Sequence, residues 1–500
     1  MNATTLRSVT VLSAAAILGV LGDLLFRKAA VGVNAACWVA ALLAAVAWVA
    51  RRTATFGGGD GKLFWPAALV FALCLAWRDS AMLRTLDLCA IGVCLTGAAT
   101  YSLYGHARRA GVLEWVGAAF LTFFAVLISA VTANRQVDWS QTPLRRAPVM
   151  RPALRGILIA IPLLLIFGGL FAGADPVFNK LLSQLFSWDV ATLFDNFGWI
   201  MVVAWGSAGF LLSVFQREPP PGAPEGSATS GGFLGRIEIG IVLGALDLLF
   251  LSFVLLQART LFGGAAFVHA TAGMTYADYA RAGFFELATA SGLLLPVLLL
   301  LHWAADREDA GVERLFRGLA TVQVALLFAV MASAFDRMRL YKQAFGLTEL
   351  RVYTVAFMIW LAVVYVWILA TVLRGRSDRF AFGAIVAGLA TILLLNALNP
   401  DAMILRTNLA LSTTTHRFDA AYAARLSADA APEMLAGVGT LPAPDQAVLA
   451  KRLIDLAPAG RSDWREWNAG LGQARRAVDR RRAELTALAS KVPPVRTDVD

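Results

Sequence analysis

The chain has 500 residues, of which 58% are hydrophobic and 16% are charged, and its formal net charge is +10. Soluble proteins carry roughly 25% charged residues, so the composition excludes an ordinary set of soluble domains. Apolar runs of about 20 residues, each long enough to cross a bilayer as a helix, recur along the first four-fifths of the chain. Arginines stand at the ends of these runs, where basic residues anchor spans, so the positive charge predicts no nucleic-acid partner.

We predict twelve membrane-spanning helices, preceded by no cleaved signal because the first apolar run is followed by further spans. Their bounds are 9–26, 31–50, 63–77, 85–104, 112–133, 153–173, 198–215, 236–257, 284–304, 314–335, 352–373 and 379–397. The segment 175–195 alternates apolar and polar residues at helical spacing, which predicts a helix lying in the membrane interface. The four cysteines lie inside apolar runs without metal-ligand spacing and are interpreted as packing residues.

The predicted regions are an N-terminal five-span region (1–135), a seven-span core (150–400) and a short soluble α-helical tail (401–500). The stretch 216–232, "QREPPPGAPEGSATSGG", has the composition of a flexible linker. In the tail, 14 basic residues nearly balance 12 acidic ones, and helical patterns alternate with Pro and Gly. The arginine run at 475–482 therefore predicts a solvated helix face. The overall prediction is an all-α polytopic bundle with a helical extension.

Asp247 stands near the middle of a predicted span, in "IEIGIVLGALDLLFLSFVLLQ". An ionised Asp at that depth costs about 2.5–3.5 kcal/mol on insertion scales. Gly240 and Gly244 share its helix face, and small residues at this spacing allow another helix to pack closely. We expect Asp247 to face protein, protonated or hydrogen-bonded to a residue such as Gln323 or Ser291. A polar packing contact and a proton-relay or substrate-contact role both stay open.

A second group of candidates begins in "GMTYADYARAGFFELATASGLLLPVLLLLHW" (273–303). Asp278 and Arg281 are three residues apart on a helix and can pair, and Glu286 follows at the mouth of a span. Tyrosines and a snorkelling arginine are also typical of plain interfacial anchoring. The segment is therefore either an anchor or one wall of a site.

Two later segments are expected on the same side of the membrane, because an even number of spans separates them from 273–283. The segment "DRMRLYKQAFGLTELRVYT" (336–354) carries Arg337, Arg339, Glu349 and Arg351 between aromatic residues. Such a mixture suits anionic headgroups or a phosphorylated lipid, with anchoring as the alternative.

The other segment, "NALNPDAMILRTN" (396–408), contains Asp401 in an Asn-Pro-Asp sequence that favours a helix stop. These segments, with "FVLLQARTLFGG" (253–264), resemble an uncharacterised family of bacterial integral membrane proteins, the domain of unknown function 4173 family. The likeness covers roughly 150–420. It implies a multi-span protein of the bacterial inner membrane and no particular activity, cofactor or catalytic residue.

The sequence contains no HExxH, no P-loop and no dinucleotide-binding fingerprint, and its four histidines are scattered. We therefore expect no cofactor and no metal. The leading hypothesis is a non-enzymatic, permease-like protein that handles a small solute or lipid, with Asp247 on the path and the same-side cluster as its entrance.

Two alternatives remain. One is a membrane-embedded transferase acting on a lipid-linked substrate, with Glu286 or Asp278 in acid–base work and Arg281, Arg337 or Arg339 binding phosphate. The other is a scaffold or sensor whose tail binds a protein partner.

Twelve spans place both termini on one side of a bacterial inner (plasma) membrane. Loops after odd-numbered spans carry 17 Lys and Arg residues, against 13 for the N-terminus and the other loops. The positive-inside rule then favours an extracytoplasmic location for both termini.

Overall fold

The computed structural model describes residues 3–53, 59–102, 106–136, 171, 175, 190–215, 232–272, 284–306, 308–415, 418–458 and 463–490. These residues form helices and contain no β-strand beyond an isolated bridge between Leu234 and Ala305. The predicted all-α class is therefore confirmed.

Eleven long helices precede the tail in the described part of the chain. They are α1 (Ala3–Phe26), α2 (Val33–Thr53), α3 (Phe64–Trp77), α4 (Ala81–Tyr101), α5 (Val112–Gln136), α6 (Val190–Phe215), α7 (Arg236–Ala272), α8 (Phe284–Ala304), α9 (Ala310–Phe345), α10 (Glu349–Ala370) and α11 (Phe380–Leu398). Ten provide a segment long and apolar enough to cross a membrane, which for α3 includes the preceding short helical turn Asp60–Leu63, and α5 contains a shorter apolar segment. The predicted span 153–173 and most of the predicted interfacial helix 175–195 fall outside the described residues.

Local chemistry explains where several helices begin and end. Asp309 accepts a hydrogen bond from the Gly311 N–H and so caps the start of α9. Gly346 ends the same helix at φ +72°, a conformation that glycine adopts without steric cost. Asn399 ends α11 in the left-handed region, and Pro400 begins the next helix. The helix stop predicted from the Asn-Pro-Asp sequence is thus present.

Helix α6 packs against α1 and α5 through glycine contacts. A Cβ on Gly19 would lie 2.6 Å from the Cβ of Ala204, and a Cβ on Gly209 would lie 2.1 Å from the carbonyl oxygen of Val126. Glycine at these positions lets the backbones approach. The sequence assigned 198–215 to the second region, but its packing partners lie in the first.

Helices α7 and α9 run parallel, side by side. Arg236 and Asp309 form an ion pair at their first turns, and further along Ser333 donates a hydrogen bond to Gln257 at 3.1 Å. Each helix spans about 55 Å, whereas the hydrocarbon core of a bilayer is about 30 Å thick. Both helices are therefore longer than a perpendicular crossing requires.

The tail has its own apolar core. Its helices are α12 (Pro400–Thr415), α13 (Ala420–Ala423), α14 (Ala431–Gly437), α15 (Ala443–Leu456), α16 (Ala469–Arg480) and α17 (Arg482–Ala489). Leu426, Met434 and Leu453 are buried at its centre, together with Leu347 and Val352 of the preceding turn and α10. The tail core is a cluster separate from the main core of the bundle, but it includes two residues that precede the predicted boundary at 401.

The tail covers one end of the bundle, which we call the tail end. The turn after α1 reaches it, because the Val33 N–H donates to the Trp467 carbonyl at 2.9 Å. The turn after α9 also reaches it, because Asn408 both accepts from and donates to the backbone of Leu347. The second contact agrees with the prediction that 336–354 and 396–408 share a side.

The first contact does not agree with the twelve-span count, which places the turn after α1 on the side opposite the tail. The other end of α1 lies away from the tail, where Arg7 donates to the carbonyl of Phe215. The count of twelve alternating spans therefore does not match the positions of the two ends of α1, and the side of each terminus stays a prediction. Counting one span more or fewer reverses every side assignment beyond it.

Candidate functional site

The three-residue turn between α3 and α4 meets the tail through reciprocal hydrogen bonds. The backbone N–H groups of Asp79 and Ser80 donate to the Asp429 carboxylate at 2.7 and 3.1 Å. In return, the Ala428 N–H donates to the Asp79 carboxylate at 3.1 Å. Asp429 thereby lies at the N-terminal end of α4, where the helix dipole favours a negative charge.

Asp401 joins this contact from the start of α12. The backbone N–H and the hydroxyl of Ser427 both donate to its carboxylate, and Asp401 is 1% exposed. Asn468, which caps the start of α16, donates to the second carboxylate oxygen of Asp79 at 3.0 Å. Two tail segments therefore bind the same turn of the bundle.

Arg78 provides the positive charge. Its guanidinium donates to the Asn396 carbonyl at 2.7 Å, lies 4.0 Å from the Asp429 carboxylate and stacks over the ring of Trp77. We call the set Arg78, Asp79, Ser80, Asp401, Ser427, Asp429 and Asn468 the junction network.

A second polar contact continues from the network into the bundle. The Asn396 amide, on α11, donates to the Asp87 carboxylate, on α4, at 2.8 Å, and both side chains are fully buried. Asn399 donates to the carbonyl of Asp429 at 3.1 Å. The tail is thus connected by hydrogen bonds to a polar pair between two spans.

The network holds more negative than positive charge. Burial raises the pKa of Asp429 to about 6, against the opposing effect of the Asp79 and Ser80 N–H groups and of Arg78. Burial also raises the pKa of Asp401, an effect that the hydrogen bonds from Ser427 reduce. No group of three or more His, Cys, Asp or Glu side chains in the described ranges is arranged to hold a metal ion. The arrangement is therefore suited to taking up a proton in mildly acidic conditions.

Two predicted site residues, Glu349 and Arg351, form contacts at the turn between α9 and α10, next to the junction network. The Glu349 N–H donates to the hydroxyl of Tyr422, in the tail, at 2.8 Å. Arg351 donates to the Gly346 carbonyl at 2.6 Å and lies 3.9 Å from the ring centre of Tyr341. Together with Asp401, these residues are gathered at the tail end, as the same-side argument predicts.

The remaining candidate site residues at the predicted membrane interface are not part of the junction network. Arg337 is buried on α9, whereas Arg339 is exposed and pairs with Asp336 at 3.1 Å. Glu286 is exposed in the first turn of α8. Asp278 and Arg281 lie outside the described residues, and so does the ion pair predicted for Arg281.

Asp247 lies in the seam between α7 and α9 and is 8% exposed, although Leu248 and Leu249 beside it are 69% and 61% exposed. Gly240 lies against Leu315, and Gln257 contacts Ser333, so partners on the two helices are offset by 75 to 76 residues. This register places Gln323 beside Asp247. As expected, Asp247 therefore faces another helix.

The polar atoms of Asp247 and Gln323 have no hydrogen-bond partner among the described residues. The other expected partner, Ser291, donates instead to the Leu287 carbonyl. The predicted hydrogen bond of Asp247 to Gln323 or Ser291 is therefore not formed.

Sequence reasoning missed most of the junction network. Asp79, Asp87 and Asp429 each look unremarkable in the chain, and some 350 residues separate Asp79 from Asp429. The available signals were the short Arg-Asp-Ser turn between two apolar runs and the acid at position 87 inside one of them. Neither signal identifies a partner.

The fold defines a multi-pass membrane protein, with ten described helices long and apolar enough to span. Residues 66–437 match the profile described as "Domain of unknown function (DUF4153)", and the chain belongs to this family. No curated protein and no solved structure matches the chain. The expectation of an uncharacterised family is confirmed, while the family number differs from that of family 4173, which the motifs resemble. The matched region includes Asp79, Asp401 and Asp429.

Proposed function

We propose that this protein is a membrane scaffold or sensor in which the tail is coupled to the bundle through the junction network. The observation that carries the proposal is that one largely buried set of hydrogen bonds joins the α3–α4 turn to the start of α12 and to two later tail segments. A buried polar group left unpaired costs about 1–3 kcal/mol. Displacement of any of these segments breaks several such bonds, so the helices and the tail move together.

Complementation of a deletion strain with two glycine variants tests this function. A Cβ on Gly470 would lie 2.1 Å from a carboxylate oxygen of Asp429, whereas a Cβ on Gly439 has no neighbour within 4 Å. We expect Gly470→Ala to insert and accumulate but to fail in the strain, and Gly439→Ala to complement. Full complementation by Gly470→Ala, with a tail that proteolysis shows to be displaced, would contradict the proposal.

The proposal also concerns the sides of the membrane on which the N-terminus and the tail lie. We infer from the eleven described helices, with the tail at the end that α1 reaches first, that the N-terminus and the tail lie on opposite sides of the membrane. The count of basic residues that favoured an external tail used the twelve-span assignment and loses its basis. The expected bacterial inner membrane and the solubility of the tail stay predictions.

Impermeant thiol labelling tests the sidedness in a chain without its native cysteines. Lys28, Arg109 and Arg425 are exposed in three different turns. We expect Lys28→Cys and Arg425→Cys to be labelled from one side and Arg109→Cys from the other. Labelling of Lys28→Cys and Arg425→Cys from opposite sides would refute this topology.

A permease-like function is the second candidate, because the carboxylate of Asp247 is buried in a span without a hydrogen-bond partner among the described residues. Such residues in spans mark ion or proton paths by default. Asp247→Asn keeps the size and loses the charge. Loss of activity with normal accumulation would support transport, and a silent substitution would leave Asp247 as a packing residue.

The transferase alternative has less support from the described residues. It requires guanidinium groups that are free to bind phosphate. Of the arginines predicted for this role, Arg339 is paired with Asp336, Arg337 is buried, and Arg281 lies outside the described residues.

A further inference from the structure

A pocket of about 210 Å³ lies between α16 and the short helical turn Trp464–Glu466 of the tail. It is lined by Asp463, Glu466, Trp467, Leu471, Gly472, Arg475 and Arg476. None of these residues belongs to the junction network. Ligand binding in this pocket is therefore independent of the proposed function.

The pocket lies next to the C-terminal end of α1. Arg465 donates to the carbonyls of Leu24 and Arg27 at 2.8 and 3.2 Å, and the Glu466 carboxylate accepts from the Ala30 N–H at 3.0 Å. Leu24 is exposed in the last turns of α1, and Trp464, the residue before Arg465, is 61% exposed. Exposed Trp residues at the end of a span lie at headgroup level. The pocket is therefore within reach of lipid headgroups.

Two arginines in the pocket lack the ion pairs that three other arginines of the tail form. Arg465, Arg481 and Arg482 each form an ion pair with a carboxylate. Arg475 and Arg476 form no ion pair with any described residue, and the Nε of Arg475 is buried without a hydrogen-bond partner. The arginine run is thus not a uniform solvated face, because part of it lines a concave site with unused donors.

The opposite wall of the pocket carries a carboxylate and an aromatic ring. Glu466 accepts the hydrogen bond from Ala30 but forms no ion pair with a described residue. The indole of Trp467 lies against Gly472, where an added Cβ would be 2.9 Å from its Nε1. The site therefore offers donors for an anion on one side, and a carboxylate with a π-face for a cation on the other.

We propose that this pocket binds the headgroup of a zwitterionic phospholipid that carries a primary amine. The phosphate would lie between Arg475 and Arg476, and the ammonium group beside Glu466 and the Trp467 ring. Guanidinium groups match phosphate oxygens in pairs of hydrogen bonds. The volume lies below the roughly 300–1,000 Å³ of typical small-molecule sites, which fits a headgroup whose acyl chains stay in the bilayer.

Native mass spectrometry of the full chain, released from nanodiscs, tests the proposal. The probes are phosphatidylethanolamine, phosphatidylglycerol and free phosphoethanolamine. We expect the full chain to retain phosphatidylethanolamine over phosphatidylglycerol, and Arg475→Gln/Arg476→Gln to lower that retention about tenfold or more. The matched control is Arg425→Gln/Lys451→Gln, which removes the same charge from exposed positions elsewhere on the tail and should retain the lipid.

A second variant keeps the test informative if the double substitution disturbs the tail. Glu466→Gln preserves an acceptor for Ala30 and removes the carboxylate charge. We expect retention of phosphatidylethanolamine to fall towards that of phosphatidylglycerol. Equal retention of the two lipids by the unmodified chain, or retention that survives the arginine substitutions, would overturn the proposal. Displacement of the lipid by equimolar free phosphoethanolamine would show that the ligand is a free solute and not a membrane lipid.

Discussion

Two buried aspartates of this protein, Asp429 at the tail junction and Asp247 in the seam between α7 and α9, have opposite surroundings. Asp429 accepts two backbone hydrogen bonds and lies near Arg78. The carboxylate of Asp247 accepts none from the described residues. A buried carboxylate with partners holds chain segments together, because removing it leaves those partners unpaired. A buried carboxylate without partners does not hold chain segments together in this way. A role in packing alone therefore does not explain why Asp247 is present.

The largest effect is expected at Asp429, the aspartate that has hydrogen-bond partners. Asp429→Ala leaves the N–H groups of Asp79 and Ser80 without their acceptor, which should cost about 2–4 kcal/mol of tail docking. Hydrogen exchange of the tail amides measures this free energy. Asp429→Asn retains an acceptor and is the matched control, with an expected loss below about 1 kcal/mol. Equal losses in the two variants would show that the hydrogen bonds are not what holds the tail.

The free energy of tail docking should depend on pH through the carboxyl group of Asp429. Burial raises the pKa of Asp429 from 3.8 to about 6, so the docked state binds a proton more tightly than the open state. The stabilisation is complete below about pH 4 and is lost as the pH rises through 6. Its size is about 1–3 kcal/mol, since one pKa unit corresponds to about 1.4 kcal/mol. Arg78 and Asp79 lie next to the same carboxylate. Asp401 shares the hydroxyl of Ser427 with Asp429, and its protonation acts in the same direction, because burial also raises its pKa.

Hydrogen exchange of the tail at pH 7 and pH 5, corrected for intrinsic exchange rates, measures this dependence. We expect tighter docking at pH 5 and a weaker dependence in Asp429→Asn. Looser docking at the lower pH would contradict the electrostatic account of the network.

A pair of leucine substitutions sharpens the comparison inside the bundle. Asp87→Leu removes the acceptor of Asn396 and should destabilise the protein by about 1–3 kcal/mol. Asp247→Leu removes a carboxylate with no described hydrogen-bond partner and should change stability by less than about 1 kcal/mol or increase it. Unfolding in detergent measures both values. A large loss in Asp247→Leu would mean that this side chain makes a structural contact after all.

The smallest effect is expected at the exposed interface. Arg339 is 70% exposed in its pair with Asp336, and such pairs contribute little because water screens them. Arg339→Gln should therefore change the stability by less than about 0.5 kcal/mol. A loss comparable to that of Asp87→Leu would require a structural role for Arg339 that its present contact does not provide.

The sequence predicted the helices well because apolar length and helix stops are local properties. The spans that became α1, α2, α8 and α11 could be recognised from their runs alone, and Asn399 with Pro400 marked the end of α11. Asp247 faces a neighbouring helix as predicted, but the glycines before it do not explain this, because a Cβ on Gly244 would have no neighbour within 4 Å.

Partners and sides could not be predicted, because both depend on distant parts of the chain. The pairing of Asp79 with Ala428 and Asn468 joins turns that no periodicity connects. The side of the tail depended on the parity of all preceding spans. The predicted span 153–173 contributes to that parity and lies outside the described residues apart from residue 171.

The central claim is that the tail and the α3–α4 turn behave as one unit, and hydrogen exchange of Gly470→Ala tests it most directly. The added Cβ collides with Asp429 from the tail side and leaves every bundle residue unchanged. Our account predicts faster exchange at residues 427–429 together with residues 79–84 of the bundle, and no change in either segment for Gly439→Ala. Faster exchange confined to the tail, with residues 79–84 unchanged, would contradict it.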